Sequence, residues 1–279
     1  MRTLALILAL PLAVLAADKP AAKPPIDAGP YVPSPQSVVA DMLKLADIGP
    51  QDFVIDLGSG DGRIVLTAAK VFGASGFGVE IKDELVKLSN EAAKTEGVAD
   101  RVKFVKADLF KTDISRATVL TMYLLPNTVN MLKDKLLTEL KPGTKVLSHD
   151  YPLAGWLPEQ YVQWDLEDKV QISGVTTTLI YLYLVPARVE GRWSASVPAS
   201  VGKGALSLSL KQQITRVSGS GRLDGKEVVL EDLKLKGEQI SFGLAGKKAL
   251  FTGTVKGDAI AGEVDAVGAK TPWSAKLVK

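Results

Sequence analysis

The order of apolar and polar positions divides the chain into two regions. From residue 37 to 186, short apolar runs alternate with segments whose apolar residues recur every three to four positions, as on one side of an amphipathic helix. The predicted strands are 53–55, 76–81, 102–109, 117–126, 145–148 and a final antiparallel pair at 161–172 and 176–185, and helices are predicted to begin near residues 37, 63, 85 and 129. Strands that alternate with helices predict a doubly wound α/β sheet.

After Pro186 the apolar residues alternate with period two, which is typical of half-buried strands. The alternating runs are 205–212, 215–223, 227–236, 239–244, 249–256, 259–265 and 271–277. Pairs such as Asp224-Gly225 separate them and favour hairpin turns. With a first strand at Trp193, about eight strands fit into 189–279, and a meander that closes into a small barrel or half-barrel would remove exposed edges. We interpret this region as a stabilising or docking domain, with binding of a substrate or envelope component as the alternative.

The most informative pattern in the first region follows the run at 53–55. Asp56 precedes three glycines at spacing two, Gly58, Gly60 and Gly62, and a helix is predicted to start directly afterwards. A strand, a glycine turn and a helix N-terminus at the carboxyl edge of a parallel sheet form a ligand crevice. The dinucleotide fingerprint has a different glycine spacing. A carboxylate two positions before the first glycine favours a ligand with a positive or amino group.

Two further acids follow predicted strands in the same region. Glu80 ends the strand at 76–81 and lies 24 residues after Asp56, close to the offset at which a βαβ unit places a carboxylate on ribose hydroxyls. Asp108 and Leu109 end the strand at 102–109. Each motif is weak alone, but their order and spacing together are specific.

These motifs resemble those of the class I S-adenosylmethionine-dependent methyltransferases. The resemblance implies a Rossmann-like sheet of seven strands, with the seventh inserted antiparallel between the fifth and sixth, and S-adenosyl-L-methionine as cofactor. It implies that Glu80 binds the ribose, that Asp108 binds the adenine amino group, and that the Leu109 amide binds the adenine ring. The implied cofactor-binding residues are Asp56, Gly58, Ser59, Gly60, Asp61, Glu80, Asp108 and Leu109.

A closer resemblance rests on three segments outside the common motifs. Pro-Tyr-Val-Pro-Ser-Pro at 30–35, Asp-Leu-Gly-Ser-Gly-Asp-Gly-Arg at 56–63, and Ser-His-Asp-Tyr-Pro-Leu at 148–153 followed by Trp156 are similar to the mitochondrial-type lysine methyltransferases and their bacterial relatives. Those enzymes methylate the ATP synthase c-subunit and the adenine nucleotide translocase. The resemblance covers roughly 30–186 and implies methyl transfer to a protein lysine amine. Two alternatives stay open: methylation of a small molecule or lipid, and a non-catalytic exported binding module.

Methyl transfer to an amine requires positioning and a neutral nitrogen rather than an elaborate set of catalytic groups. We expect Tyr31, Tyr123 and Asp150 to surround the methyl-accepting atom, because all three lie on segments predicted over the carboxyl edge of the sheet. His149, the only histidine, could act as a base, but a structural role is favoured. The motif Asn/Asp-Pro-Pro-Tyr is absent from the sequence, which argues against a DNA- or amide-methylating mode. The sequence predicts no metal site.

Composition indicates a globular protein, and the N-terminal sequence indicates its location in the cell. The 279 residues are 46% hydrophobic and 23% charged, as in a globular protein, and the formal charge of +3 is too small to predict a nucleic-acid partner. Residues 1–17 have the pattern of a secretory signal peptide, and the Ala/Pro-rich residues 18–36 are predicted to be a linker before the domains 37–186 and 189–279. We therefore expect an exported or periplasmic protein, or a membrane-anchored one if the segment is uncleaved. The expected partner is a protein or small-molecule methyl acceptor, at the envelope or near the membrane.

Overall fold

The computed structural model describes residues 30–279. The predicted signal peptide at 1–17 and the part of the predicted linker at 18–29 lie outside the described residues. Two sheets make up the described chain, one of seven strands and one of nine.

The seven-stranded sheet occupies the first region and confirms the predicted α/β fold. Its strands are β1 Phe53–Leu57, β2 Ser75–Glu80, β3 Val102–Lys106, β4 Val119–Met122, β5 Lys145–His149, β6 Gln160–Asp165 and β7 Thr177–Leu184. Its helices are α1 Gln36–Leu45, α2 Arg63–Phe72, α3 Asp83–Thr95, α4 Pro126–Glu139 and α5 Glu167–Ser173. The strand order is β3-β2-β1-β4-β5-β7-β6, and β7 runs antiparallel between β5 and β6, as the family resemblance implied.

The sequence explains why β1 and β4 form the centre of this sheet. Helices cover both surfaces, so Val54, Ile55 and Leu57 of β1 are fully buried, and all four residues of β4 are buried as well. Such strands need apolar side chains on both sides rather than alternation. The carboxyl ends of β1, β2, β4 and β5 consequently lie at one edge of a rigid layer, where ligands bind in folds of this kind.

One predicted strand in this region needs correction, because part of it is helical. Residues 161–172 were predicted as one strand, but β6 ends at Asp165 and α5 follows, closed by Gly174 in the left-handed conformation with φ 77°. A helix of seven residues is too short to show a clear helical period. Helix α1 begins at Gln36, close to the start predicted near residue 37, and Ser34 is already buried. The bounds of the predicted linker stay a prediction.

The second region forms a nearly closed antiparallel sheet that resembles a barrel, which confirms the predicted all-β domain. Its strands are β8 Gly191–Ser196, β9 Ala205–Gln213, β10 Arg216–Leu223, β11 Lys226–Val228, β12 Leu230–Lys236, β13 Gln239–Leu244, β14 Lys247–Lys256, β15 Ala259–Ala266 and β16 Ala269–Val278. The first strand pairs with the last, β8 with β16. The run predicted at 227–236 is divided at Val229, where the chain changes partner from β10 to β13.

Aromatic side chains fill the interior of this second sheet. Phe242 and Phe251 stack with ring centroids 4.8 Å apart, and Trp273 packs edge-on against both. The indole nitrogen of Trp273 donates a hydrogen bond to the Thr252 carbonyl at 2.8 Å, and Trp193 is fully buried in the same core. This core stabilises the second domain itself. The stabilising or docking role of that domain stays a prediction.

The two sheets contact each other at one end of the barrel-like domain. The Ala187 amide donates a hydrogen bond to the Gly237 carbonyl at 2.8 Å, Lys236 forms an ion pair with Glu159, and Ile214 packs against the core of the seven-stranded sheet. The domain boundary near residue 186 stays a prediction.

Candidate active site

A cavity lies over the carboxyl edge of the seven-stranded sheet, above the ends of β1, β2, β3 and β4. The glycine turn after β1 forms one of its walls and the segment at 30–34 forms another. Every residue that the resemblance assigned to the cofactor lines this cavity: Asp56, Gly58, Ser59, Gly60, Asp61, Glu80, Asp108 and Leu109. The structure therefore brings together residues that are far apart in the chain.

The glycine turn requires glycine at its second position for two reasons. Gly60 has φ 54°, in the left-handed region that glycine tolerates. A Cβ atom added there would also lie 2.5 Å from the ring of Tyr31, which crosses above the turn. The amides of Gly58 and Ser59 both donate to the Val79 carbonyl at 2.9 Å, so the turn is fixed to β2. Any residue larger than glycine at position 60 would therefore displace the Tyr31 ring from the turn.

Glu80 ties the end of β2 to this turn. One carboxylate oxygen accepts the Gly60 amide at 3.0 Å, and the other accepts the Ile81 and Lys82 amides at 2.8 and 2.9 Å. A carboxylate has about four lone-pair positions, so the oxygen facing Gly60 retains capacity for hydroxyl groups in the cavity. This geometry fits the ribose-binding role implied for Glu80.

Asp56 is a buried acid whose charge has no cationic partner among the described residues. Its carboxylate accepts a hydrogen bond from the Thr121 hydroxyl at 2.7 Å. Burial raises the pKa of Asp56 to about 7, the Thr121 hydrogen bond opposes this rise, and the charges of Glu80 and Asp61 add to it. The buried hydroxyl of Ser59 has no hydrogen-bond partner among the described residues. A carboxylate without a cation and an unpaired hydroxyl on a glycine turn fit the amino-acid end of S-adenosylmethionine.

Asp61 and Arg63 hold the segment 30–35, which we call the strap, over the cavity. The Arg63 guanidinium donates to the Asp61 carboxylate at 2.6–3.1 Å and to the Ser34 carbonyl at 2.7 Å. Burial alone would raise the pKa of Asp61, but the hydrogen bonds and charge of Arg63 lower it. Asp61 is therefore a charged anchor of the strap, and its direct contact with the cofactor stays a prediction.

His149 fixes the other side of the strap. The Ser34 hydroxyl and His149 Nδ1 are 2.8 Å apart, and the imidazole stacks on the Tyr123 ring with centroids 3.9 Å apart. Burial lowers the pKa of His149 to about 4, Asp150 opposes this, and Lys169 adds to it. The imidazole is neutral near pH 7 and does not line the cavity, which supports the structural role over that of a base.

Asp108 and Leu109 occupy the far wall of the cavity, after β3. One Asp108 oxygen accepts the Phe110 amide at 2.9 Å, which forms a local turn, and the other lies 3.5 Å from the Lys111 ammonium. Leu109 is 7% exposed and belongs to the core of the sheet. Their placement fits an adenine site, and their individual roles stay predictions.

The three residues expected around the acceptor do not all reach the cavity. Tyr31 and Tyr123 line it, but Asp150 does not. The Tyr123 hydroxyl instead donates a hydrogen bond of 2.9 Å to the Asp150 carboxylate, so Asp150 lies one hydrogen bond behind. The predicted direct contact of Asp150 is therefore corrected to an indirect one, and Tyr151 lines the cavity in its place.

Comparison with known proteins relates this site to a family. Residues 56–160 match the family model of the ANTKMT methyltransferase domain. A protein-lysine N-methyltransferase of Saccharolobus islandicus is 45% identical over 157 residues, 56% of this chain and 93% of that enzyme. An adenine nucleotide translocase lysine N-methyltransferase of Mus musculus is 35% identical over 46% of this chain, and the match spans only 56% of that enzyme.

A solved methyltransferase structure is also similar to this chain. It is that of an RNA methyltransferase from Salinibacter ruber in complex with S-adenosyl-L-homocysteine. It is 46% identical, has a TM-score of 0.51, and covers 57% of this chain and 96% of its own. The family match begins at Asp56 and so includes the glycine turn and Glu80. The chain thus belongs to the S-adenosylmethionine-dependent protein-lysine N-methyltransferase family, and S-adenosylmethionine is its cofactor.

Proposed function

We propose that this protein methylates the side-chain amine of a lysine in an exported or envelope-associated protein. The observation that carries the lysine assignment is that Tyr123 lies at the cavity wall and its hydroxyl donates a hydrogen bond to Asp150. The 45% identity to the Saccharolobus islandicus protein-lysine N-methyltransferase, over 93% of that enzyme, supports the same assignment.

The cofactor roles follow from the cavity. We assign Glu80 to the ribose hydroxyls, Asp108 and Leu109 to the adenine, and Asp56 with the turn Gly58–Ser59–Gly60 to the amino-acid end. Asp61 supports the strap above that end. When bound, S-adenosylmethionine supplies a methyl carbon activated by its sulfonium, and the acceptor nitrogen bonds to that carbon as the carbon–sulfur bond breaks and its electron pair goes to sulfur.

Tyr123 suits an amine acceptor because of its hydrogen-bond polarity. Burial, then the charge and hydrogen bond of Asp150, raise the pKa of Tyr123 well above its ordinary value. The hydroxyl therefore stays protonated and donates to Asp150, which leaves its oxygen lone pairs to accept an N–H from the acceptor. The Tyr123 oxygen, by accepting that N–H hydrogen bond, orients a neutral amine in this partly buried site. Burial also disfavours the ammonium form of the amine. Tyr31 and Tyr151 line the same cavity as Tyr123 and complete the wall around the methyl-accepting nitrogen.

The location of the substrate rests on the N-terminal sequence. Residues 1–17 match the signal-peptide pattern, and the described residues 30–279 contain no helix long and apolar enough to cross a membrane. We expect the mature protein in the periplasmic or membrane fraction, with its N-terminus near residue 17. Cell fractionation with N-terminal sequencing measures this. A full-length protein in the cytosolic fraction, with Met1 retained, would contradict the export proposal.

The acceptor proposal predicts that purified protein transfers radiolabelled methyl groups to protein in envelope extracts. Acid hydrolysis of the labelled protein should give methylated lysine. Tyr123→Phe should reduce turnover about 10- to 100-fold, because a misplaced acceptor loses near-attack geometry, while the cofactor Kd stays within about twofold. Tyr161→Phe is a matched control, because Tyr161 is exposed on β6 and does not line the cavity.

Two outcomes would contradict lysine as the acceptor, and a third would contradict the role of Tyr123. Label that nuclease removes and protease does not would indicate RNA, and label in the organic extract would indicate a lipid or small molecule. Turnover of Tyr123→Phe equal to that of the parent would remove the tyrosine from the acceptor site.

A further inference from the structure

A buried lysine lies behind the proposed acceptor site and has no part in the roles assigned so far. Lys169 belongs to α5, and its side chain is 1% exposed. Its ammonium contacts both Asp150 oxygens at 2.7 Å and donates to the Thr177 carbonyl. A lysine is almost never buried to this extent unless it is paired, and this pair joins α5 to the end of β5.

The backbone at Asp150 adopts an unusual conformation beside this contact. Asp150 has φ 62°, in the left-handed region that costs free energy for residues other than glycine. Its amide donates to the Leu179 carbonyl at 2.7 Å, and the Leu179 amide donates to the carboxylate at 3.1 Å. The turn sends the Asp150 carboxylate toward Lys169 and Tyr123, while the next residue, Tyr151, lines the cavity.

We propose that Lys169 is a positioning residue, which holds the Asp150 carboxylate where it accepts the hydrogen bond from the Tyr123 hydroxyl. That hydrogen bond leaves the lone pairs of the Tyr123 oxygen directed toward the methyl-accepting amine. The proposal rests on the proposed lysine-methylating function. It assigns a chain of contacts from the ammonium of Lys169 to the carboxylate of Asp150 to the hydroxyl of Tyr123 at the cavity wall.

The charges around Asp150 identify Lys169 as the cation that acts at neutral pH. The titratable groups facing the carboxylate are Tyr123 after β4, His149 on β5, Lys169 on α5 and Tyr181 on β7. Burial alone would raise the pKa of Asp150, but His149, Lys169 and the Leu179 amide lower it. Because His149 is neutral near pH 7, the cationic partner of the Asp150 carboxylate at that pH is Lys169.

The experiment compares four full-length proteins: the parent, Lys169→Met, Asp150→Asn and the double variant Lys169→Met/Asp150→Asn. The double variant removes both charges, so it avoids the unpaired buried carboxylate that could unfold Lys169→Met. We expect each single variant to lower kcat about 10- to 100-fold with the cofactor Kd within about twofold. We expect the double variant to lose no more than Asp150→Asn alone, because Lys169 acts through that carboxylate.

A second measurement does not depend on the acceptor. Carbon-13 NMR of the aspartate carboxyls in the free protein should show a higher pKa for Asp150 in Lys169→Met, and a shift of the Tyr123 ring signals in both single variants. Lys135→Met is the control, because Lys135 is paired with Glu139 on α4, away from the site.

The outcomes separate the two proposals. A kcat of Lys169→Met equal to that of the parent, additive losses in the double variant, or an unchanged Asp150 pKa would overturn the positioning role. Absence of methyl transfer to lysine by the parent, with the NMR changes as expected, would overturn the lysine acceptor and leave the contact chain established.

Discussion

Replacing Glu80 with alanine is expected to weaken S-adenosylmethionine binding by about 5- to 150-fold, which corresponds to the loss of roughly 1–3 kcal/mol of hydrogen bonding. The carboxylate is the proposed partner of the ribose hydroxyls. It is also the acceptor for the Gly60, Ile81 and Lys82 amides, so alanine leaves three backbone donors without their partner. Both losses act on the same cavity wall, and for this reason we expect the upper part of the range.

Glu80→Gln separates the two contributions. The amide retains one oxygen, which can keep either the Gly60 contact or the pair of contacts with Ile81 and Lys82, so the turn should hold better than in Glu80→Ala. Isothermal titration calorimetry gives the Kd, and thermal unfolding without cofactor reports the turn. A Kd for Glu80→Ala equal to that of the parent would remove Glu80 from the cofactor site. An equal fall in melting temperature for both variants would show that glutamine does not keep the turn contacts, contrary to the expectation above.

Several motifs, each contained in one short segment, together with their order and spacing predicted the fold and the cofactor side of the site. Asp56 lies two residues before Gly58, and Glu80 ends a strand, so each residue is placed by its own local element. The strand order could not come from periodicity, because pairing of β7 between β5 and β6 depends on which apolar surfaces meet. The family resemblance supplied that order.

Contacts between distant segments could not be predicted in the same way. Ser34 and His149 meet across 115 positions, and nothing in either local sequence indicates the partner. Lys169 was missed because its segment was predicted as strand, and burial of a lysine becomes visible only when α5 packs against the turn at Asp150. The change of partner at Val229 was not predicted either. Val228, Val229 and Leu230 are consecutive apolar residues that interrupt the alternation, but nothing in this run indicates which strand the chain pairs with next.

A second large effect is expected from pH, through Asp56. Its carboxyl has a pKa of about 7 in the free protein, mainly because it is buried. A cofactor with a positively charged amino group binds the ionised form better, so below pH 7 binding must release a proton. Affinity should therefore rise with pH up to about 7 and level off above it, with a Kd about tenfold weaker at pH 6 than at pH 8, since one pKa unit is a factor of ten.

The same group gives the sign of a stability effect. The folded-state pKa of Asp56 lies above its ordinary value of 3.8, so between about pH 4 and 7 the folded protein holds a proton that the unfolded chain has released. The contribution of Asp56 to the free energy of unfolding therefore falls as pH rises through this window and is constant above it. Asp56→Asn stays neutral throughout and should remove both dependences.

Calorimetry in two buffers of different ionisation enthalpy measures this proton directly. At about pH 6 the parent should release close to one proton on binding the cofactor, and at about pH 8 almost none. Asp56→Asn should release none at either pH and should bind more weakly than the parent at the higher pH, where the ionised carboxylate contributes fully. A parent Kd that is constant across this range would show that the buried carboxylate does not meet the cofactor charge. In that case the Ser59 hydroxyl, which has no hydrogen-bond partner among the described residues, would have to bind the amino-acid end in place of Asp56.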